Sequence, residues 1–295
     1  MENNFPLGSL AAFRAGIPGI YEDIPLAEYF AIDAIHSSTL KEAHKSAAHL
    51  KQYEDEEFEM SEALIIGSAL HCAVLEQDRF AKEYVVAPKC DLRTTNGKNT
   101  MSEFIADNDG KTIIKAEQMY EVERMRDSIL AHPAASEIIN LPGQNELTML
   151  RRDEATGLLY VIRIDKYMLF RDKLTIVDIK TTKNGSPSGF PREAANYGYD
   201  IQGGFYSDVA SAVEEQNIEQ VLFITIEKKS FITTVYNLEE LDLRIGKQKY
   251  KSALELLIEC RKTGKYPGYS DSILPLSLPV WATEPLIEEE EEEYV

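Results

Sequence analysis

Apolar residues recur at the spacing of an α-helix in three stretches of the first half of the chain, residues 35–53, 63–85 and 115–131. Each stretch is therefore predicted to be an amphipathic helix, and another short helix is expected to end near Leu141. Residues 1–32 show no such period, so they predict an irregular leader.

The hydrophobic period changes from that of a helix to that of a strand after the midpoint of the chain. Three apolar, β-branched runs predict three strands, which are followed by a helix, a hairpin and a long final helix. This order predicts an α/β fold with a central mixed sheet flanked by helices. The strands span residues 145–153, 157–170 and 173–182, the next helix lies in the second half of residues 190–215, the hairpin spans residues 221–238, and the final helix spans residues 239–264.

The composition is that of a globular protein with a substantial core, because 44% of the 295 residues are hydrophobic and 27% are charged. At about 150 residues per domain the length allows two domains, although single α/β domains of roughly 200 to 250 residues are common. We expect one domain over residues 33–270, preceded by the leader and followed by a Pro-rich, acidic tail over residues 271–295.

The formal net charge of −19 disfavours nucleic-acid binding, because phosphate binding is driven largely by counterion release onto Lys and Arg. Seven glutamates of the tail, Glu284 and residues 288–293, account for part of this excess, and the charge without them is −12. A protein can still gather its Lys and Arg residues in one groove, so the charge lowers the expectation of DNA binding without excluding it. The glutamate run is interpreted as a disordered solubilising tail or, alternatively, as a partner-binding or DNA-mimicking segment.

The N-terminal residues lack the basic start and apolar stretch of a signal peptide, and no run reaches the roughly 18 apolar residues of a membrane span. A cytoplasmic protein that does not associate with membranes is therefore expected. The three cysteines, Cys72, Cys90 and Cys260, match neither a disulfide framework nor the paired spacing of a zinc site, so buried or idle thiols are expected.

Two of the predicted strands carry carboxylates within apolar runs: Asp165 ends one run, and Asp178 lies between Val177 and Ile179 in the next. Lys180 shares the face of Asp178 because strand side chains alternate. Hydrolysis of a phosphodiester needs a cation that neutralises charge and activates water, and Mg²⁺ prefers carboxylate ligands. These residues therefore predict a metal-dependent phosphodiesterase site, although strand carboxylates also serve as solubility charges.

Asp165 followed by the triplet Asp178, Ile179 and Lys180 resembles the core motif of the PD-(D/E)xK nucleases, in which an acid ends one strand and acid-x-Lys lies on the next. Ile164 stands where the motif's name has proline. Further matches over about residues 33–270 are similar to the branch of RecB-type nucleases and bacteriophage lambda exonuclease, and most of all to exonuclease VIII (RecE)-like nucleases. These matches are the G-x-x-x-H pattern of Gly67 and His71, the Q-x-x-x-Y pattern of Gln202 and Tyr206, the stretch HSSTLKEAHKSAAHL and the basic loop DLRTTNGK.

The resemblance implies a restriction-endonuclease-like core and a 5′-to-3′ exonuclease that resects linear double-stranded DNA to 3′ single-stranded tails for recombination. It also implies Mg²⁺, with Mn²⁺ as a substitute, bound by His71, Asp165, Asp178 and the Ile179 carbonyl. Lys180 is then the catalytic base or stabilises negative charge, two roles that the sequence does not separate. The remaining expected site residues are Glu146, Gln202 and Tyr206.

Candidates for gripping DNA phosphates follow from the affinity of arginines and helix N-termini for oxyanions. Ser37 or Ser38 is the expected N-cap of the first long helix. The family's members assemble as closed rings that thread DNA, which implies a homo-oligomeric ring with a basic channel, and a single-strand annealing protein is an implied partner. The phosphate-gripping candidates are Arg163, Ser37, Ser38, Arg93 and Lys98, and the channel candidates also include Arg151, Arg152 and Lys183.

Each candidate also has a purely structural explanation. His71 is compatible with a hydrogen-bonded core histidine, Gln202 and Tyr206 with a polar pair on a helix, and Glu146 with an ordinary strand acid rather than a metal-site carboxylate. A structure-specific or nicking endonuclease would use the same metal site, and a non-catalytic DNA-processing subunit would keep only the fold. A histidine or cysteine hydrolase is disfavoured because the motif region has no nucleophile elbow and no Cys/His pair.

Overall fold

The computed structural model of the chain describes residue 6 and residues 8–56 and 61–279. Within these residues the helices are α1 (Leu10–Arg14), α2 (Leu26–Ala31), α3 (Ser37–Lys45), α4 (Ala47–Asp55), α5 (Glu62–Leu75), α6 (Gln77–Glu83), α7 (Thr95–Asp107), α8 (Ala116–Ala131), α9 (Pro133–Asn140), α10 (Phe190–Asn196), α11 (Tyr199–Glu214) and α12 (Glu240–Thr263). The strands are β1 (Gly19–Tyr21), β2 (Tyr84–Val86), β3 (Thr112–Ile114), β4 (Gln144–Arg152), β5 (Leu159–Phe170), β6 (Lys173–Thr182), β7 (Gln220–Glu227) and β8 (Thr233–Asn237).

Six strands form one mixed sheet in the order β1-β4-β5-β6-β7-β8, while β2 and β3 form a separate parallel pair. Neighbours in the large sheet are antiparallel except for β6 and β7, which run parallel. A parallel pair requires a crossover connection, and α10 and α11 supply it between β6 and β7. The predicted α/β fold with a mixed central sheet flanked by helices is confirmed.

Helices cover both faces of the sheet, which explains why β5, β6 and β7 are almost continuously buried rather than alternately buried and exposed. On one face α3, α11 and α12 bury Leu40, Phe205 and Leu257. On the opposite face α5, α8 and α9 bury Leu70 and Met125 against β6 and β7. Both helical layers hold elements that carry site residues, so packing of the core positions the site.

The prediction of an irregular leader is wrong for the described residues 8–32. This segment contains α1, β1 and α2, and β1 extends the sheet by pairing antiparallel with β4, with Tyr21 opposite Thr148. Phe13 and Tyr21 are buried and pack edge to face, with their ring centroids 5.4 Å apart. A strand of three residues is too short to show a period of two, so the hydrophobic pattern carried no signal for it.

Two of the predicted helices are each broken in two. The first divides into α3 and α4 at Ser46, whose backbone is extended and whose hydroxyl accepts a hydrogen bond from the His49 amide, 3.2 Å away. The second divides into α5 and α6 at Glu76 and continues into β2. Serine side chains offer the backbone an alternative to a continuous helix, so the local hydrogen bond at Ser46 overrides a continuous apolar period.

The segment DLRTTNGK, predicted to be a basic loop, is helical in its second half. Its second part opens α7, which the Thr94 hydroxyl caps by accepting a hydrogen bond from the Gly97 amide, 3.0 Å away. Gly97 permits close packing rather than a turn, because a Cβ there would lie 2.0 Å from a carbonyl oxygen of the preceding segment. Lys98 therefore lies in the first turn of a helix, and Arg93 lies in the exposed segment before it.

The C-terminal tail is described only in part. Residues 271–279 are exposed and form neither helix nor strand, whereas the glutamate run at residues 288–293 lies outside the described residues. The two interpretations of that run therefore stay predictions. Among the described residues, none of the helices combines the length and the apolarity needed to cross a bilayer.

The helices α11 and α12 cross at a distance that only glycine allows. A Cβ at Gly204 would lie 2.5 Å from the amide nitrogen of Lys247, and a Cβ at Gly246 would lie 1.9 Å from the carbonyl oxygen of Asp200. Both obstacles belong to the backbone, so neither can move aside as a flexible side chain would. The two helices pack closely because neither glycine holds them apart with a side chain.

We expect Gly246→Ala to lower the free energy of unfolding by about 3 kcal/mol, at the upper end for an overpacked core, because the helices must separate. Gly67→Ala is the matched control: Gly67 lies inside α5, and a Cβ there would meet no atom within 4 Å. This control should be neutral or more stable by up to about 1 kcal/mol, since Ala favours helix over Gly. Urea denaturation measures both, and equal stabilities would contradict the proposed packing.

Candidate metal centre and active site

The central sheet forks between β5 and β6, and the candidate acids lie at the fork. The two strands pair from Phe170↔Lys173 to Lys166↔Val177 and then separate, β5 continuing along β4 and β6 along β7. Asp165 and Asp178 each lie one residue beyond the last pair, and they are 6% and 5% exposed. Asp165 Oδ2 accepts a hydrogen bond from the Ile179 amide at 2.6 Å. This side-chain hydrogen bond therefore takes the place of the next backbone hydrogen bond between the two strands.

His71 reaches the fork from α5. Its Nε2 donates a hydrogen bond to the Ile179 carbonyl oxygen at 3.0 Å, and its Nδ1 lies 3.3 Å from Asp165 Oδ1 and 3.8 Å from Glu146 Oε1. Burial lowers the pKa of His71, but Asp165, Glu146 and Asp178 outweigh it and raise that pKa to about 9. The carboxylates thus create a position that strongly favours a positive charge.

Glu146 faces the same position because of an unusual backbone conformation. It lies in β4 with a φ of 49°, the left-handed region that is sparsely populated by residues other than glycine. The residues on either side of it pair regularly with β5, but Glu146 itself does not. Its Oε2 accepts a hydrogen bond from Arg163 Nε at 2.6 Å, while Oε1 faces His71. Backbone strain of this kind is typical of functional sites.

Lys180 and Gln202 hold Asp178 from two sides. The Lys180 Nζ lies 2.6 Å from Asp178 Oδ2, and Gln202 Nε2 of α11 donates a hydrogen bond to Oδ1 at 2.8 Å. Lys180 Nζ also donates to Gln202 Oε1 at 3.3 Å. Burial lowers the pKa of Lys180, yet the nearby Asp178, Asp165 and Tyr199 raise it overall. The predicted set of Asp165, Asp178, Lys180 and Gln202 is brought together at one place.

The donor set at the fork fits a hard divalent cation. One ligand atom each from His71, Glu146 and Asp165 lies within 4.8 Å of the others. Asp178 Oδ2 is buried and, apart from its charge contact with Lys180, has no hydrogen-bond partner among the described residues. Carboxylate and carbonyl oxygens with one imidazole suit Mg²⁺ or Mn²⁺. His71, Asp165, Asp178 and the Ile179 carbonyl therefore have the chemistry of the predicted ligand set, and Glu146 adds a further carboxylate.

The predicted N-cap of α3 is wrong. His36, with an extended backbone at φ −96° and ψ 158°, occupies that position, and Ser37 and Ser38 are the first two helical residues. Ser37 is buried and its side chain interacts with that of Tyr206, and Ser38 Oγ lies 2.7 Å from the Tyr53 hydroxyl. Tyr206 thus joins α11 to α3 beside the site.

The remaining phosphate-gripping candidates lie in different surroundings. A pocket of about 360 Å³ opens at the fork, and Arg163 lines it together with the acids. The Arg163 Nε is engaged by Glu146, and its Nη1 donates to the Ile24 carbonyl at 2.6 Å. The side chain of Arg93 is 91% exposed and forms a bidentate ion pair with Asp91 outside the pocket. The roles of Arg163, Arg93, Lys98 and the channel candidates stay predictions.

Lys41 is one of two site residues that the sequence reasoning missed. It projects from α3, and its Nζ donates a hydrogen bond to Gln202 Oε1 at 2.9 Å. Tyr199 was also missed, although its ring lies under the ammonium groups of both Lys41 and Lys180. A lysine on an amphipathic helix is normally a solvated charge, so the sequence held no signal that distinguishes Lys41 from its neighbours.

Comparison with known proteins identifies a family. A profile described as "PDDEXK-like domain of unknown function (DUF3799)" matches residues 36–275. No curated protein matches the chain. Among solved structures, one named "Putative exonuclease" from Eubacterium rectale has a TM-score of 0.52 at 14% identity, over 88% of this chain and 98% of that chain. At this identity the likeness supports the fold alone. Another, named SSO0001, has a TM-score of 0.35 at 15% identity, over 78% of this chain and 82% of that chain, and carries no argument.

Proposed function

Because the chain belongs to the PDDEXK-like domain family, we propose that it is a metal-dependent exodeoxyribonuclease. It hydrolyses phosphodiester bonds from the ends of linear double-stranded DNA, in the 5′-to-3′ direction, and leaves 3′ single-stranded tails for recombination. The observation that carries the proposal is the convergence of His71, Asp165, Asp178 and Lys180 at the fork of the sheet. The direction and the recombination role rest on the resemblance of the sequence motifs.

The residues at the fork divide the work of hydrolysis. His71, Asp165, Asp178 and the Ile179 carbonyl would hold the divalent cation, which would neutralise phosphate charge and lower the pKa of a bound water. Lys180 donates hydrogen bonds to phosphate oxygens that gain negative charge, because its ammonium already serves as a donor at the centre of the site.

The size of the site favours digestion from an end. Asp165 and Asp178 are almost fully buried and line a pocket of about 360 Å³, near the lower limit for a small-ligand site. Such a pocket is closer in size to a nucleotide than to a duplex. A strand end separated from its complement can therefore enter, whereas the backbone of a closed duplex has to deform first.

The test compares linear duplex DNA, with and without 5′ phosphates, against a closed circle of the same sequence. We expect Mg²⁺-dependent loss of the linear DNA alone, and no loss when a chelator is present. Labels at the 5′ or 3′ end show which end disappears first. Cutting of the circle would indicate an endonuclease at the same site, and no cutting of any substrate would favour a non-catalytic DNA-processing subunit.

The homo-oligomeric ring and the single-strand annealing partner stay predictions that follow from the resemblance. Light scattering coupled to size-exclusion chromatography measures the mass of the assembly directly. A ring gives a multiple of the 33.3 kDa chain. A single-chain mass, with and without DNA, would contradict it.

A further inference from the structure

Two ammonium groups converge on one amide oxygen beside the metal centre. Gln202 Oε1 accepts a hydrogen bond from Lys41 Nζ at 2.9 Å and from Lys180 Nζ at 3.3 Å. The same two nitrogens lie 5.4 and 4.9 Å from the ring centroid of Tyr199. Lys41 is thus a second cation near the reacting centre, and it is supplied by α3 whereas Lys180 lies on β6.

The two lysines differ in their counterions. Lys180 pairs with Asp178, whereas no carboxylate oxygen of the described residues lies within 4.0 Å of Lys41 Nζ. Its neighbours on the surface, Lys45 and Lys249, are paired with acids at 2.6 Å. Burial and the charge of Lys180 lower the pKa of Lys41 to about 7, against the opposing effect of nearby acids. An anion that binds beside a half-buried ammonium group without a carboxylate partner stabilises the charged form of that group.

Lys41 lines a second cleft, of about 290 Å³, separate from the pocket at the fork. Tyr199 lines both this cleft and the pocket at the fork. Gly198, with a φ of 62°, leaves room for the stem of Lys41, because a Cβ there would approach Lys41 Cγ to 3.2 Å. Tyr197 is 53% exposed at the mouth and stacks on Tyr199 with the centroids 5.9 Å apart. Aromatic faces beside ammonium groups are the usual lining of single-strand binding grooves.

We propose that Lys41 binds a phosphate group of the DNA strand next to the scissile one, so that the strand runs from the cleft past Tyr199 into the pocket at the fork. This inference rests on the proposed function, because it takes the pocket at the fork as the place of cleavage. The phosphate is either an internal phosphodiester or a terminal 5′ phosphate, since the ammonium recognises both by the same chemistry.

The test compares Lys41→Met, Lys41→Arg and the wild type, with Lys51→Met as the control. Lys51 is exposed, pairs with Asp55 on its own helix and lines neither the cleft nor the pocket. DNA binding is measured by fluorescence anisotropy over a range of salt concentrations, with Ca²⁺ in place of Mg²⁺ to prevent cleavage. Thermal melting verifies that each variant is folded.

We expect Lys41→Met to weaken binding about tenfold and to reduce the slope of log K against log salt by about 1, as loss of one phosphate contact does. Lys41→Arg, which keeps the charge, should restore most of the slope, and Lys51→Met should match the wild type. In cleavage assays the Lys41→Met effect should fall on KM more than on kcat.

Two results would overturn the proposal. An unchanged salt slope with a lower kcat would show that Lys41 only positions Gln202, and wild-type values throughout would show that it has no role. A Lys41→Met effect confined to DNA with a 5′ phosphate assigns the terminal phosphate, and an effect on all linear DNA assigns an internal one. If the wild type binds DNA without cutting it, the proposed function fails, while the salt slope still decides the role of Lys41.

Discussion

In Asp178→Asn we expect the kcat for cleavage of linear duplex DNA to fall by about 10³-fold or more, which corresponds to about 4 kcal/mol of lost transition-state stabilisation. Asp178 is buried, with one oxygen held by Gln202 and the other facing Lys180. An amide keeps the size of the side chain but removes the negative charge that a hard cation requires. The substitution therefore acts on cation binding and leaves the packing of β6 intact.

The binding of Mg²⁺ by this variant can also be measured without an activity assay. Mg²⁺ that binds the folded wild type raises its stability by about 2.7 kcal/mol at 100 times Kd, and thermal melting in a Mg²⁺ titration detects that gain. Asp178→Asn should gain little at the same concentrations. Asp172→Asn, in the exposed turn between β5 and β6, should behave as the wild type. Asp178 would not be a ligand if its variant kept both the kcat and the Mg²⁺-dependent gain in stability.

Strand alternation was sufficient to predict that Asp178 and Lys180 lie together, since both side chains project from one face of β6. The fork beside them was not visible, because the sequence does not show where β5 and β6 stop pairing. Their hairpin turns through Arg171 and Asp172, which both have positive φ, as in a type I′ turn. The ends of the two strands at residues 170 and 173 were predicted as observed. The pair Arg171-Asp172 is not the Asn-Gly or Asp-Gly pair that usually indicates such a turn, so the type of turn was not readable.

Contacts between distant parts of the chain were predicted only where a motif supplied their order. His71 lies 108 residues before Ile179, and the G-x-x-x-H pattern was the sole indication that it belongs to the site. Lys41 lies 161 residues before Gln202. The stretch HSSTLKEAHKSAAHL contains it, but the resemblance of that stretch assigned it no role, so it was missed. The left-handed conformation of Glu146 depends on its surroundings rather than on its residue type. The local sequence pattern was thus sufficient to predict Asp165, Asp178 and Lys180 as site residues. The position of Lys41 and the conformation of Glu146 depend on tertiary packing, which the sequence does not show.

Lys180→Met is expected to lower kcat by about 10² to 10³-fold with a smaller change in KM, the usual cost of removing one donor that stabilises developing charge. Methionine keeps the apolar stem over the Tyr199 ring but lacks the ammonium that faces Asp178 Oδ2 and Gln202 Oε1. Lys173→Met, at the exposed opposite end of β6, is the matched control and should leave kcat unchanged. A Lys180→Met variant that keeps the wild-type kcat would exclude both roles considered for this lysine.

The stability of Lys180→Met tests whether Lys180 also balances the charge of the neighbouring carboxylates. Without Lys180, the buried carboxylates Asp165 and Asp178 lose a nearby positive charge, and removal of one partner of a buried pair typically costs about 3 kcal/mol or more. Divalent cations bound among these carboxylates supply the missing positive charge. We therefore expect Lys180→Met to unfold at a lower temperature than the wild type in chelator and to gain more stability from Mg²⁺. An equal gain in both proteins would show that the cation does not share the electrostatic environment of Lys180.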